Sequence, residues 1–160
     1  MAGIKTGFGL ASQGLLTDVD TVQRNNLGFL DADDQGNVYV YLPGVASNVA
    51  GNWLSYNSST YATSLLVTAA GVMVPVAVAM SAALANQFGW AQVYGIVAVA
   101  NIATAAGPNS ALYTSATPGR ATATAGAATA IFGAGMQGAS VSNIGAAFVD
   151  FPFVMGSATL

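Results

Sequence analysis

The sequence predicts an all-β chain: a small β-sandwich or β-barrel of about ten short strands with an extended N-terminal arm. Three observations carry that prediction. Apolar and aromatic residues recur at period two, as in Val38-Tyr-Val-Tyr-Leu42 and at Val72, Val74, Val76 and Val78. Strong turn signals punctuate the chain at close spacing, among them Pro43-Gly44, Gly107-Pro-Asn109 and Thr117-Pro-Gly119. Alanine favours helix, but here it is interleaved with Val and Thr and repeatedly broken by Gly.

Met1 to about Asn26 reads as the arm. Gly3, Gly7, Gly9 and Gly14 break it, and its apolar residues show only weak periodicity. A short helix over Thr17–Arg24, with Thr17 as N-cap, fits the pattern there. Residues 27–160 form a single β-rich domain. Leu27–Leu30 leads into an Asp/Asn/Gly turn over Asp31–Asn37, and Val38–Leu42 is a strand. Trp53–Tyr56 is a second strand, bounded by Gly51-Asn52 and Asn57-Ser-Ser59. Ser64–Thr68 and Val72–Met80 follow, and Ser81–Gln87 is one helical turn or a loop. Gly89–Gly95 runs straight into Ile96–Ala100 with apolar residues on both faces, which predicts a strand buried on both sides. Ala111–Thr114, Arg120–Thr124, Ala130–Phe132, Ser140–Ile144 and Ala147–Val154 complete the set.

Charge is scarce. The charged residues are Lys5, Arg24, Arg120, Asp18, Asp20, Asp31, Asp33, Asp34 and Asp150, and Gln35–Gly119 contains none of them. Glu, His and Cys are absent. Three basic residues cannot neutralise a phosphate backbone, so no nucleic-acid partner is expected. Thr63–Ala85 is uncharged and long enough to span a bilayer. Gly71 and Pro75 interrupt it, its valines keep a strand repeat, and no basic residues flank it, so one or two buried strands are expected and no membrane. Met1–Thr21 has no apolar run of signal-peptide length.

The motifs for chemistry are weak. Asp31-Ala-Asp-Asp-Gln-Gly36 resembles a calcium loop but lacks a downstream Glu, so a hydrated hairpin turn and no metal is expected. Gly133-Ala-Gly-Met-Gln-Gly138 matches G-x-G-x-x-G without the helix and the later acid of a dinucleotide site. Asn57-Ser-Ser59 fits a glycosylation sequon and reads more simply as a turn. Asp18 and Asp20 lie in the arm, away from the rigid burial a carboxylate dyad needs. A serine triad has no His to serve as base. No catalytic residue, cofactor or small-molecule substrate is therefore expected. The aromatics Trp53, Tyr56, Phe88, Trp90 and Tyr94 at strand spacing read as core or oligomer-interface residues rather than a carbohydrate platform.

Three segments carry a resemblance: Gly51-Asn-Trp-Leu-Ser-Tyr-Asn57, Pro75-Val-Ala-Val-Ala-Met80 and Ala85-Asn-Gln-Phe-Gly-Trp-Ala-Gln-Val-Tyr-Gly95. In this order they resemble the small head proteins of tailed bacteriophages, of the decoration or cement type. The likeness covers Gly51–Ala100 and continues loosely to Phe151-Pro-Phe153; the arm lies outside it. It implies a non-enzymatic virion protein on the capsid exterior, a homotrimer that binds the major capsid protein and stabilises neighbouring subunits. On that view Ile4, Phe8, Leu10, Leu15 and Leu16 of the arm attach to the capsid. The alternative is a tail-fibre, surface-layer or glycan-binding β module, which predicts a shallow aromatic groove around Trp53 or Trp90.

Overall fold

Strand-forming residues dominate the chain, and the computed structural model, which describes residues 15–68, 73–125 and 129–155, places them in ten strands. These are β1 (Leu30–Ala32), β2 (Val38–Pro43), β3 (Trp53–Tyr56), β4 (Thr63–Leu65) and β5 (Val74–Ala79). The second half holds β6 (Phe88–Asn101), β7 (Ala111–Thr114), β8 (Ala121–Thr122), β9 (Ala130–Met136) and β10 (Ile144–Val154). Among the described residues there is no helix, so none is long and apolar enough to cross a membrane. The fold is all-β and barrel-like, as expected.

Every strand pair is antiparallel, and β6 is the spine. Its first half lies between β2, through Tyr41↔Trp90, and β5, through Val78↔Gln92. Its second half pairs with β10, through Ile96↔Phe148 and Val149↔Gly95. After Asp150, β10 leaves β6 and pairs with β5 through Phe153↔Pro75 and Val154↔Val74. Thus β5, β6 and β10 each pair with the other two. Three wings extend from this junction: β2–β1 from β6, β3–β4 from β5, and β9–β7–β8 from β10.

The junction requires unusual backbone. Phe151 has φ 42° where β10 switches partner, and Gly95 has φ 100° where β6 passes from β2 to β10. A Cβ at Gly95 would collide with the Asn37 amide, whose Oδ1 accepts from Ile96 N at 3.3 Å. Only glycine combines that φ with that approach.

The wings enclose apolar residues on both faces of the β2–β6–β5–β3 region. The larger cluster joins Trp53, Val76 and Val78 to Val97 and Ala100 of β6, Leu112 of β7, Ile131 and Met136 of β9, and Val149 of β10. On the opposite face Val40, Leu42, Leu54, Ala77, Ala79, Ala91 and Val93 pack together, with Val45, Tyr56, Tyr61 and Leu65 against them. The alanines in the sequence are thus small strand residues in close-packed layers, not helix formers.

Three expectations are corrected. Thr17–Arg24 is not helical. Asp20 N donates to Phe88 O and Phe88 N to Asp20 O, both at 2.9 Å, which commits the backbone that a helix would use. Ser140–Ile144 is a tight turn into β10 rather than a strand of its own: Val141 and Ile144, the first residue of β10, exchange hydrogen bonds around Ser142 and Asn143, both at positive φ. Two-sided burial of β6 ends at Val93, beyond which Tyr94, Ile96, Ala98 and Val99 are exposed. Ser81–Gln87 is a loop closed by a turn in which Gln87 N donates to Leu84 O.

Gly95→Ala and Gly36→Ala separate backbone strain from collision. Gly36 has φ 84° with open space around it. Its substitution should cost about 1 kcal/mol, whereas Gly95→Ala should cost about 3 kcal/mol or more. Urea unfolding measures both, and equal losses would show that Asn37 yields without cost.

Candidate functional site

Several polar groups of the described residues are tied into structure, while Asn25 Nδ2, Asp31 Oδ2, Asn48 Oδ1, Trp53 Nε1 and Ser81 Oγ are buried without a partner. Asp20 is buried, accepts the Tyr41 hydroxyl at 2.7 Å, and pairs with Arg24 Nε at 3.0 Å. Tyr41 also accepts from Arg24 N at 3.2 Å. This cluster fastens residues 20–24 to β2. Both carboxylate oxygens are engaged, Oδ1 by Arg24 and Oδ2 by Tyr41.

The Asp31–Asn37 loop is the hairpin turn expected. Asp33 accepts from Gln35 N, Asn37 N, Asn37 Nδ2 and the Tyr39 hydroxyl. These four donors hold its carboxyl below the usual range against the opposing effect of burial. They also occupy the oxygens a calcium ion would need. Among the described residues no group of three or more His, Cys, Asp or Glu is placed to hold a metal. Asn57 Oδ1 accepts from Ser59 N and Thr60 N, which makes the sequon a side-chain-capped turn. Gly133–Gly138 runs along β9 into a bend, with no helix after it.

The aromatics singled out from the sequence divide between interior and surface. Trp53 is fully buried in the larger core cluster. Trp90 is buried against Tyr39 and Tyr41, with its ring 5.2 Å from that of Tyr41, and Phe88 stacks on Tyr41 at 6.1 Å. Tyr56 is half-buried and stacks on Tyr61. Tyr94 alone of the five is exposed. Trp90 lines a pocket of only about 10 Å³, with Gly44, Asn48 and Ala83. In the arm, Leu15 is exposed and Leu16 packs against the Tyr39–Tyr41–Trp90 cluster. Ile4, Phe8 and Leu10 lie outside the described residues.

The feature with the largest functional potential is a sheet face built by β6, β10 and β9. Ile96 and Phe148 sit directly opposite one another and both are exposed. Tyr94 contacts Phe151, ring centroids 5.8 Å apart. Phe148 reaches across to Gly135 of β9, where a side chain would strike its ring. Phe132 of β9 stacks on Phe153 of β10 at 5.3 Å. The one charge within these strands is Asp150, paired in register with Tyr94, and Asp33 and Asp34 border the face in a cleft shared with Ile96 and Ala98. Such a face offers shape and apolar area, not acid–base chemistry. Beside it, Tyr56, Ser58, Met73, Pro75, Phe151, Pro152 and Phe153 line a cleft of about 320 Å³.

Sequence reasoning found Tyr94 but not Ile96, Phe132, Phe148 or Phe151. The usable signal was Phe148, Asp150 and Phe151 together, since an unpaired acid among aromatics at strand spacing marks the solvent side.

Burial first, and then the neighbouring Asp20, push the Tyr41 hydroxyl up to about 12, above the usual tyrosine value. The unfolded chain releases this proton near pH 10, while the folded chain holds it to about pH 12. Stability should therefore be unaffected by this group below pH 10 and fall from there through pH 12. Tyr39 is displaced the same way, by burial and Asp33. Tyr41→Phe should cost about 1–2 kcal/mol at neutral pH and make the alkaline decline shallower. Urea midpoints across alkaline pH check both, and an unchanged decline would remove Tyr41 from it.

No family model matches this chain, and neither the curated proteins nor the solved structures compared with it give a match.

Proposed function

We propose that the chain is a non-enzymatic virion structural protein that binds the outside of a phage capsid, as a homotrimer, and cements neighbouring major capsid protein subunits. The observation that carries this reading is the exposed aromatic face of β6, β10 and β9, whose strands hold a single charge, Asp150. A protein whose role is contact needs broad surface complementarity, and this face supplies it where a substrate site would need polar or titratable groups. The resemblance to phage head proteins adds to it. Its three segments correspond to β3, β5 and the first half of β6, which are neighbours in the sheet.

The arm has two parts under this reading. Residues 20–24 are fastened to the domain through Asp20 and Tyr41, and Leu16 joins the aromatic cluster. Capsid attachment then falls to Ile4, Phe8, Leu10 and the exposed Leu15. A glycan-binding module is the weaker reading, because Trp53 and Trp90 are interior; the Tyr56–Phe151 cleft is the surface left to it.

The test is addition of the purified chain to heads of its own phage that lack it. The full chain should co-sediment with the heads and raise the denaturant needed to open them. Removing residues 1–14, which spares the Asp20 cluster, should weaken binding on the order of tenfold or more, as expected for loss of several apolar anchors. Heads that neither bind nor gain resistance would overturn the proposal.

A further inference from the structure

We infer that the exposed face of β6, β10 and β9 is covered by a neighbouring copy of this chain. This deepens the shell-protein reading and rests on it in taking several copies to work side by side; the contact itself follows from the face.

Area is the first argument. Tyr94, Ile96, Phe132, Ile144, Phe148 and Phe151 are each between 43 and 53 % exposed. With side chains of this kind presenting about 200 Å² each, they leave roughly 500–600 Å² of apolar surface in water. That is at the upper end of what a lone soluble domain shows, and most of the ~800 Å² per partner of a stable interface. Exposed Ala98 and half-buried Ala146 of the same strands add to it.

Charge is the second argument. A foreign partner is usually selected by complementary charge. Here the strands themselves contribute one charge, Asp150 beside Tyr94 and Phe151, and no basic residue, while Asp33 and Asp34 stand at the rim, where they line a cleft with Ile96 and Ala98. The centre of the face, at Phe148 and Phe132, carries no charge, and sheet faces of this kind pack with their side chains interdigitated. Aromatic enrichment and the lack of Lys, Arg and Glu match the centre of a homo-oligomer interface. Backbone pairing points the same way. β10 is hydrogen-bonded on both edges, to β6 and β9, so the contact is made by side chains and not by strand addition.

Sedimentation velocity of the full chain over a wide concentration range tests this. The wild type should sediment as an oligomer. Ile96→Lys and Phe148→Asp should each shift it to monomer, raising the dissociation constant on the order of a hundredfold, because an unpaired charge would be buried at the contact. Val22→Lys, on an exposed arm residue away from the face, should leave the oligomer intact. Retained emission from the buried Trp53 and Trp90 shows that each variant is folded. A monomeric wild type, or variants that remain oligomeric, overturn the inference. So does a chain that oligomerises only after residues 1–14 are removed, which would put that segment on the face. A monomer that loses head binding on Ile96→Lys gives the face to the capsid protein and also overturns it. An oligomer broken by Ile96→Lys but never bound to heads would leave this inference standing and reject the capsid role.

Discussion

β10 belongs to two partners, and the rest of the molecule is arranged around that fact. Through Phe148 and Val149 it pairs with β6; through Phe153 and Val154 it pairs with β5. The switch takes place at Phe151, held at φ 42°, a conformation that a bulky side chain adopts only when its surroundings enforce it. The enforcement comes from both sides: Tyr94 against the Phe151 ring, and buried Pro152 and Val154 anchoring the far end. Because β5, β6 and β10 are mutually paired, the three wings leave the junction in different directions and can close over separate apolar layers. The same switch turns Phe148, Phe151 and Phe153 towards one face. One backbone irregularity therefore both closes the fold and builds its most apolar surface.

Scarcity of charge has a structural counterpart. Among the described residues the ion pair is Arg24–Asp20, and its carboxylate is buried with a tyrosine hydroxyl as second partner. A buried carboxylate is tolerated because all its interactions are supplied. The other polar side chains mainly cap turns, as Asp33 and Asn57 do. The β6–β10–β9 face stands apart as mainly apolar, with Asp150 exposed among its aromatics. Under the proposal that this face meets protein, specificity rests on matched shape more than on steering by charge.

The fold was legible where pattern and turn chemistry agreed. Val38–Leu42 is β2, Trp53–Tyr56 is β3, and the Asp31–Asn37 turn lies where its Asp and Gly residues placed it. The ambiguous Thr63–Ala85 segment resolved into strands because Pro75 and the alternating valines are incompatible with a continuous helix. Thr17–Arg24 misled because its local propensity was overridden by a distant partner, Phe88, that no local window contains. The site was less legible. Tyr94 and Ile96 lie in the same apolar run as Trp90 and Val93, yet the first pair is exposed and the second buried. What separates them is Gly95 and the exchange of β5 for β10 along one strand, and sequence periodicity does not encode which neighbour a strand has. The long-range partner, not the residue type, decides between core and interface here.

Under the shell-protein proposal, imaging of purified phage particles that carry the chain is the most direct test that the β6–β10–β9 face meets protein. Density for the ten-stranded domain should lie on the outer surface of the head, with Ile96 and Phe148 turned away from solvent against a neighbouring copy. Particles that carry the chain with this face bare to solvent would contradict it.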